Sequence, residues 1–277
     1  MSEYAEYIGR QSRQRDFITP AMIERYRAVI GDEGRGRALP YGLHWCVNLP
    51  KAPMGELSQD GHPETGGFLP ASDLPRRMWA SSEVDFLAPL DAGAMIERVS
   101  TIKSVTPKSG RSGSLLFVSV EHVVMSNDVK SIQETQTIVY REASSAKGTL
   151  PVPTPFELDG WTQTEVITPN NALLFRFSAL TFNTHRIHYD KPYAYEEEGY
   201  PDLVVHGPLM ASLLLRFATQ IFKGDAISGF KFRGLAPAFC NEKLILAAKP
   251  DETGLDLAIF GTDGRKIMTA HAGGNRG

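Results

Sequence analysis

The sequence predicts an α+β protein built from two copies of one unit, each a helix followed by antiparallel strands. Three observations lead to this prediction. A helix start with Pro at its first position occurs early in the chain, in the tripeptide Ile18-Thr19-Pro20, and the same tripeptide occurs near the start of the second half. Segments rich in Val, Ile and Phe follow in both halves, with the partial alternation of strands. Short stretches of the two halves also match each other, so an internal duplication is expected.

In the first half, Thr19 is predicted to cap a helix with apolar side chains at helical spacing as far as Ile30, and Gly31-Asp32 ends it. Residues 33–75 contain many Gly and Pro, which predicts a long functional loop region. The pattern then changes to that of strands. Four strands are predicted, over residues 78–86, 94–105, 114–126 and 130–141.

The second half repeats this plan after a stretch rich in Ser, Gly and Pro. Ile167-Thr168-Pro169 matches Ile18-Thr19-Pro20, and residues 177–183 align with residues 26–32, which places Asp32 at the position of Asn183. The predicted units are therefore residues 1–145 and 166–277, joined by a linker of residues 146–165. Four strands are predicted in the second unit, over 230–233, 243–249, 255–261 and 266–271, with a hairpin turn at Asp263-Gly264.

The composition excludes several classes of function. The 277 residues carry a formal net charge of −3 with a pI near 6.2, which argues against a general nucleic-acid binder. Cys46 and Cys240 are far apart and show no metal-ligand spacing, which favours a reduced protein. The amino terminus lacks an apolar run, and no segment approaches the length of a membrane span. We therefore expect a cytoplasmic protein without a membrane partner.

Polar side chains that suit proton transfer are concentrated between Asn183 and Asp190. His185 and His188 lie between these two residues, and apolar side chains bracket the group. An imidazole held against a hydrophobic body can be tuned by desolvation towards general acid–base catalysis. His188 is the candidate base, with a structural, hydrogen-bonding histidine as the alternative. His185 either shares the chemistry or caps the turn.

A second candidate segment, His206-Gly207-Pro208, precedes an apolar run at helical spacing. Pro208 in the first helical turn leaves the Gly207 amide free near the positive end of the helix dipole. Such an amide can stabilise a developing oxyanion; the alternative is that the glycine only permits the turn into the helix. His206 is a candidate for the substrate site, where its backbone shapes the loop.

The sequence predicts neither a metal nor an organic cofactor. The side chains of His185, His188, Asp190 and His206 could approach one ion, but no Cys or further carboxylate completes the set. Nothing like a Gly-rich dinucleotide-binding loop occurs either.

The motif Asn183-x-His185-x-x-His188-x-Asp190, with the downstream segment 205–207, resembles the hydratase motif of MaoC-like hot-dog proteins, the (R)-specific enoyl-CoA hydratases. The spelling of residues 181–190 is most similar to the fused double hot-dog branch. That branch contains mitochondrial-type 3-hydroxyacyl-thioester dehydratases and the mesaconyl-C4-CoA and itaconyl-CoA hydratases. The segment 76–89 is similar to its amino-terminal unit. The resemblance implies a double hot-dog fold, with two antiparallel sheets each wrapped on a central helix.

The resemblance also implies a reaction, the syn addition of water to the α,β-double bond of an enoyl thioester. In the family an Asp and a His hold the water, and here Asn183 stands in place of that Asp. Asn183 can orient water but cannot exchange a proton at neutral pH. His188 is then expected to take the water proton and return one to the α-carbon, with His185 able to share this work. Only the second unit carries the histidine motif, so one active site and a non-catalytic first unit are expected.

Further residues are candidates for substrate binding. Trp45, Arg76 and Arg77 could wall an acyl pocket and bind a substrate carboxylate or a CoA phosphate. The alternative for these arginines is a strand start whose charges are solvated. Arg233 could reach the pantetheine or phosphates of CoA. Asp190 either adjoins the substrate or caps a helix start.

The predicted function is the hydration of a short enoyl-CoA, with a branched dicarboxylic acyl group of the itaconyl or mesaconyl type. The acyl-CoA substrate is the one expected partner. A 3-hydroxyacyl-thioester dehydratase for monocarboxylic chains is the first alternative. A hot-dog acyl-CoA thioesterase and a non-catalytic acyl-thioester binding protein remain open. A homodimer of fused chains is optional, because the fusion already pairs two hot-dog units.

Overall fold

The computed structural model describes residues 4–34, 39–110, 113–143, 158–223 and 226–274. Within these ranges, ten strands form one antiparallel sheet, accompanied by four α-helices. The strands are β1 (Gln11–Phe17), β2 (Arg76–Phe86), β3 (Met95–Gly110), β4 (Gly113–Ser126), β5 (Val129–Arg141), β6 (Gln163–Ile167), β7 (Ile227–Gly234), β8 (Leu244–Pro250), β9 (Gly254–Gly261) and β10 (Lys266–Gly274). The helices are α1 (Pro20–Ile30), α2 (Asn171–Leu180), α3 (Lys191–Glu196) and α4 (Gly207–Phe222).

The order of the strands confirms the predicted internal duplication. From edge to edge the order is β1-β3-β4-β5-β2-β7-β10-β9-β8-β6, so each half contributes the same five-strand arrangement and the two meet head to head. β2 and β7 pair antiparallel in the middle, with Ser81 opposite Arg233 and Asp85 opposite Gly229. The two predicted sheets are therefore one continuous sheet, because β2, at the edge of the first five strands, pairs with β7, at the edge of the second five.

The first helix of each half begins with a side-chain cap. Thr19 Oγ1 accepts the N–H of Met22 at 3.2 Å, as the sequence predicts. In the second half the cap is Asn170, whose Oδ1 accepts the N–H of Leu173 at 2.9 Å. Thr168, which the sequence match aligns with the Thr19 cap, is therefore not the cap of the second helix; the cap lies two residues later.

The ends of α1 and α2 follow the predicted alignment. Gly31 (φ 71°) closes α1 and Phe182 (φ 48°) follows α2, and each of these left-handed residues directly precedes the aligned polar residue, Asp32 or Asn183. The side chain of Asp32 lies 3.6 Å from the Arg27 guanidinium and outside the large pocket described below. The expectation of one active site, in the second half, stays a prediction.

The two halves differ in their central helix. In the second half α4 is almost wholly buried and packs against β7, β8, β9 and β10. In the first half, the described residues between α1 and β2 form only short 3₁₀ turns, at Leu43–Cys46 and Met54–Glu56. The helix predicted after Thr19 is present as α1, but the central helix that the resemblance implies for each unit has a counterpart among the described residues only in the second unit. A stretch as rich in Gly and Pro as residues 39–75 cannot sustain a long helix.

The boundary of the second unit lies slightly earlier than predicted. β6 begins at Gln163 and pairs with β8 as the edge strand of the second half, so the last residues of the predicted linker belong to the sheet. Residues 144–157, which make up most of that linker, lie outside the described residues. No helix among the described residues is long and apolar enough to cross a membrane.

Thr19→Ala is expected to lower the free energy of unfolding by about 1 kcal/mol, because it removes the acceptor for the Met22 N–H at the start of α1. Thr19→Ser keeps the hydroxyl and should retain most of the stability. Urea denaturation followed by circular dichroism measures both variants. An equal loss of stability in the two would contradict the capping role.

Candidate active site

A pocket of about 780 Å³ lies between the two halves. Its walls come from the loop region of residues 45–69, from β2, β4 and β5 of the first half, and from residues 181–188 and 204–210 of the second half. Val120 of β4 and Ile138 of β5 border it. The pocket therefore occupies the face of the first-half sheet that the described residues leave without a long helix.

His188 stands at the end of a 3₁₀ turn (Arg186–His188) and lines the pocket. Its Nδ1 lies 2.7 Å from the carbonyl oxygen of Val204. A carbonyl can only accept a hydrogen bond, so the ring proton is on Nδ1. Burial lowers the pKa of His188 well below its usual range, and the imidazoles of His206 and His185 lower it further. Nε2 is therefore unprotonated at neutral pH, as a general base requires.

His206 supports His188 from behind. The two rings stack with centroids 3.6 Å apart and an interplanar angle of 20°. His206 Nε2 lies 2.8 Å from Ser178 Oγ, and burial lowers the pKa of His206 to about 3. The ring is outside the pocket lining. The His206 side chain stacks on the His188 ring instead of lining the pocket, and the prediction that the His206 backbone shapes the substrate loop stays a prediction.

Gly207 is the first residue of α4 and lines the pocket directly after His206. At this position its N–H has no partner within the helix. The dipole of a sixteen-residue helix adds positive potential at the same point. A Cβ at Gly207 would meet nothing closer than Trp79 O at 3.8 Å, so the room above the amide is pocket space. The geometry fits the predicted oxyanion donor.

Asn183 and His185 are coupled through the backbone. Asn183 Oδ1 accepts the N–H of His185 at 2.9 Å, which leaves the Nδ2 group of this pocket-lining residue as its free donor. The His185 side chain is buried, and its Nε2 lies 3.8 Å from Glu198 Oε1. His185 precedes the 3₁₀ turn without a capping hydrogen bond from its side chain, and it brings a second imidazole to the pocket.

A loop of the first half docks onto this segment. Asp60 O accepts the N–H of Arg186 at 2.8 Å, and Gly61 O accepts the Thr184 hydroxyl at 2.5 Å. Gly61 has φ +89°, and a Cβ there would lie 1.9 Å from Thr184 O, so only glycine allows this approach. The docking places His62 in the pocket, with its ring 4.1 Å from that of His185.

Asp60 and His62 form a carboxylate–imidazole pair. His62 Nδ1 lies 2.8 Å from Asp60 Oδ2, and Asp60 Oδ1 accepts the backbone N–H of His62 at 2.9 Å. Burial lowers the pKa of His62 to about 4, against the opposing effect of the Asp60 hydrogen bond. The hydrogen bonds from His62 hold the pKa of Asp60 below its usual range although burial opposes this. The pair is thus a neutral imidazole on an ionised carboxylate.

Four imidazoles form a continuous row through the site, which we call the histidine row. Successive ring centroids are 4.1, 5.5 and 3.6 Å apart. The ligand atoms of Asp60, His62 and His185 also lie within 4.8 Å of one another, so these three side chains are spaced to hold one cation. The set of four considered from the sequence does not come together among the described residues. In order, the row is His62, His185, His188 and His206.

Four arginines line the pocket; Arg98 is on β3, and the other three are at the ends of β2 and β5. Arg76 is buried, lies 3.2 Å from Glu198 Oε2 and also donates to the Glu198 carbonyl. Its charge is therefore compensated. Arg77 and Arg141, by contrast, have no carboxylate within ion-pair distance among the described residues. They sit on adjacent strands, since Arg76 of β2 faces Arg141 of β5.

The far wall of the pocket is polar. Trp45 lines it and donates from Nε1 to the buried Glu134 carboxylate, at 3.3 and 3.2 Å. Ser82 Oγ donates to the same carboxylate at 2.5 Å. Burial would raise the pKa of Glu134, but the hydrogen bond and charge of His44 and those of its neighbours lower it to about 2. The predicted pocket-wall role of Trp45 fits this position.

A profile of the hydroxyacyl-thioester dehydratase type 2 family matches residues 42–240 of the chain. Mesaconyl-C(4)-CoA hydratase of Chloroflexus aurantiacus is 43% identical over 277 residues, covering 97% of each protein. This chain belongs to the hydroxyacyl-thioester dehydratase type 2 family. The predicted family resemblance and the hydratase–dehydratase activity are thereby confirmed.

Solved structures share the fold of this family member. HtdX of Mycobacterium tuberculosis superposes with a TM-score of 0.73 at 17% identity, over 96% of this chain and 100% of the other. A MaoC-like dehydratase from Phytophthora capsici gives a TM-score of 0.70 at 12% identity, over 97% of each chain. The predicted double hot-dog fold is confirmed.

Two of the predicted substrate-binding residues of this dehydratase-family chain lie outside the pocket lining. Asp190 caps α3 by accepting the N–H of Tyr193 at 3.2 Å and binds the Arg186 guanidinium at 2.8 Å. Arg233 projects from the exposed face of β7, because its neighbour Phe232 faces the core. Both predictions are corrected: Asp190 is structural, and Arg233 does not reach the pocket.

Sequence reasoning missed several pocket residues, among them His62, Glu198 and Arg141. His62 carried a usable signal, since Asp60-Gly61-His62-Pro63 places an acid and an imidazole within a loop predicted to be functional. Glu198 belongs to an acidic run that is typical of a solvated surface. Arg141 has no local signal, because its place at the pocket depends on the pairing of β5 with β2, where it lies opposite Arg76.

The kcat/KM of the enzyme is expected to hold its plateau as the pH falls through the ordinary histidine range. The pKa of His188 is depressed by burial, so the neutral base persists below the value of about 6.5 of an exposed histidine. Initial rates measured from pH 5 to 8, with folding checked by circular dichroism at each pH, locate the acidic limb. A limb at or above pH 6.5 would contradict a buried neutral base.

Arg76→Met is expected to lower the free energy of unfolding by about 3 kcal/mol, because it leaves the Glu198 carboxylate buried and unpaired. The double variant Arg76→Met/Glu198→Met removes both charges and should recover much of that loss. Urea denaturation of the single and double variants gives the coupling energy. A double variant as unstable as Arg76→Met alone would rule out the ion pair as the cause.

Proposed function

We propose that the enzyme reversibly hydrates the α,β-double bond of a short, branched dicarboxylic enoyl-CoA of the mesaconyl or itaconyl type. The observation that carries this proposal is the pair Arg77 and Arg141, two uncompensated cations that line the pocket beside the histidine row. The 43% identity to a mesaconyl-C(4)-CoA hydratase supports the same acyl class. Guanidinium groups are well suited to bind a planar carboxylate.

Hydration begins with a water held between His188 Nε2 and the amide of Asn183. His188 takes one proton from the water while the water oxygen bonds to the β-carbon. The electron pair of the double bond moves to the α-carbon and the thioester oxygen, where the Gly207 N–H stabilises the charge. The His188 imidazolium then gives its proton to the α-carbon. Dehydration is the reverse of these steps.

The polarity of the pocket favours a dicarboxylic over a long monocarboxylic substrate. The face of the first-half sheet presents Arg98, His122 and Gln136 to the pocket, and His122 hydrogen-bonds Gln136 Oε1 at 3.1 Å. A long alkyl chain would desolvate such groups without replacing their hydrogen bonds with water. Dehydration of monocarboxylic 3-hydroxyacyl thioesters is the second candidate, which the family match favours.

The proposed reaction uses no metal and no organic cofactor, and coenzyme A enters as part of the substrate. A cytoplasmic location and a homodimer of the fused chains remain predictions. Acyl-CoA hydrolysis and binding without turnover are the remaining alternatives, and the experiment below separates them from hydration.

The loss of enoyl-thioester absorbance with crotonyl-, mesaconyl- and itaconyl-CoA tests this function. Wild type should prefer a dicarboxylic substrate, and His188→Ala should lose a factor of about 10² to 10⁴ in kcat, because the general base is removed. Release of free CoA thiol, followed in parallel, would reveal a thioesterase. No loss of absorbance with any substrate would overturn the hydratase.

The variant Arg77→Gln, assayed with the same three acyl-CoA substrates, shows which group of the substrate the Arg77 guanidinium binds. The variant should raise KM by about 10-fold or more for dicarboxylic substrates, the loss expected for one charge-assisted hydrogen bond. Crotonyl-CoA serves as the control, and its KM should change little. An equal rise for all three substrates would assign Arg77 to the phosphates of CoA instead.

A further inference from the structure

In the proposed reaction His188 becomes positively charged, but position 183 carries Asn in place of the negatively charged Asp of the family motif. When His188 takes a proton it becomes an imidazolium in a buried site. An uncompensated buried charge is strongly unfavourable, so a nearby carboxylate would lower the barrier. Position 183 carries a neutral amide, whose oxygen is already bound to the N–H of His185. The counter-charge has to come from another part of the site.

Two carboxylates contact the histidine row. Glu198 lies 3.8 Å from His185, but Arg76 approaches it to 3.2 Å and compensates its charge. Asp60 lies at the other end, 2.8 Å from His62, and has no Lys or Arg partner among the described residues. Asp60 is thus the carboxylate whose negative charge remains uncompensated.

His62 connects this carboxylate to the reaction centre. Its Nδ1 is bound to Asp60, its ring packs 4.1 Å from His185, and the His185 ring is 5.5 Å from that of His188. His62 also lines the same pocket as His188. The loop that carries the pair is held by backbone contacts, since Asp60 O and Gly61 O accept from the segment 184–186. The position of the carboxylate is therefore fixed independently of its charge.

We propose that Asp60, acting through His62, supplies the negative charge that stabilises protonated His188 during hydration, in place of a carboxylate at position 183. The inference rests on the proposed function. Asp60 and His62 are positioning residues; the water proton passes to His188 Nε2 and then to the α-carbon, while the Nδ1 proton of His62 stays on its hydrogen bond to Asp60. The first half, which the sequence predicts to be non-catalytic, then takes part in catalysis.

Asp60→Asn tests this role without disturbing the docking of the loop. The backbone carbonyl of Asp60 that binds Arg186 is unchanged, and the amide oxygen of Asn can still accept the His62 backbone N–H. The variant should lower kcat about 10-fold or more, with little change in KM, because a charge is lost that acts on the protonated state of His188. A matched control is Asp251→Asn. Asp251 forms a similar pair with His271, at 3.0 Å and outside the pocket, so this variant should keep wild-type kcat.

Adding Asn183→Asp to Asp60→Asn returns a carboxylate to the motif. An Asp at 183 keeps an oxygen for the His185 N–H, so the turn is preserved. The double variant should recover most of the lost kcat, and Asn183→Asp alone should raise kcat much less in the wild-type background. A purely structural role of Asp60 predicts no such rescue.

The outcomes are distinct from those of the proposed function. If the wild type hydrates no enoyl-CoA, the function itself fails. If the wild type is active and Asp60→Asn keeps its kcat, or if Asn183→Asp changes kcat by the same factor in both backgrounds, the counter-charge role is overturned. A poorly folded Asp60→Asn that the added Asn183→Asp does not restore to activity also overturns it.

Discussion

Antiparallel hydrogen bonds between β2 and β7 hold the site together, because the pocket lies across this junction. They fuse two five-strand halves into one sheet and leave no free edge in the middle. β2 brings Arg76, Arg77 and Trp79 to the pocket, and the turn after β7 brings residues 234–237. The catalytic segment of the second half therefore faces side chains of the first half at a fixed distance.

The second constraint is the burial of several imidazoles in one place. The rings of His62, His188 and His206 each have a nitrogen at hydrogen-bond distance from a fixed oxygen, on Asp60, Val204 and Ser178 respectively. Buried polar groups that are hydrogen-bonded in this way are rigid as well as satisfied. A base held in one tautomer and one rotamer needs little rearrangement when substrate arrives. The lowered pKa values of His62, His188 and His206 and the fixed orientations of their rings thus have the same physical origin, which is burial.

Local signals in the sequence predicted much of this architecture. The cap at Thr19, the left-handed Gly31 and the apolar alternation of the inner strands act between neighbouring residues, so a single sequence reveals them. The same holds for His188 and for Gly207 at the start of α4. β1 was missed because it is a polar edge strand with no buried side chain. The alternation around buried Phe232 could have shown that Arg233 faces outwards.

The remaining features depend on contacts between distant segments. The rings of His62 and His185 come into contact only because Gly61 allows its loop to approach Thr184. Neither segment alone contains a sequence signal that predicts this contact. The ion pair between Arg76 and Glu198 is likewise not predictable from the sequence, because the two residues are far apart along the chain. The described residues 39–75 form no long helix, which their Gly and Pro content had indicated. The central helix expected there follows from the family resemblance, which implies one in each unit.

The single central helix has a consequence for how such a protein can change. In a dimer of two identical chains, every substitution appears in both subunits. Replacing the central helix by a loop would therefore remove that helix from both subunits at once. The fused chain carries each substitution once. Its first half can exchange a helix for the irregular residues 39–75 while α4 still anchors the other half. The sequence of one half can therefore change at a position without the same change at the equivalent position of the other half.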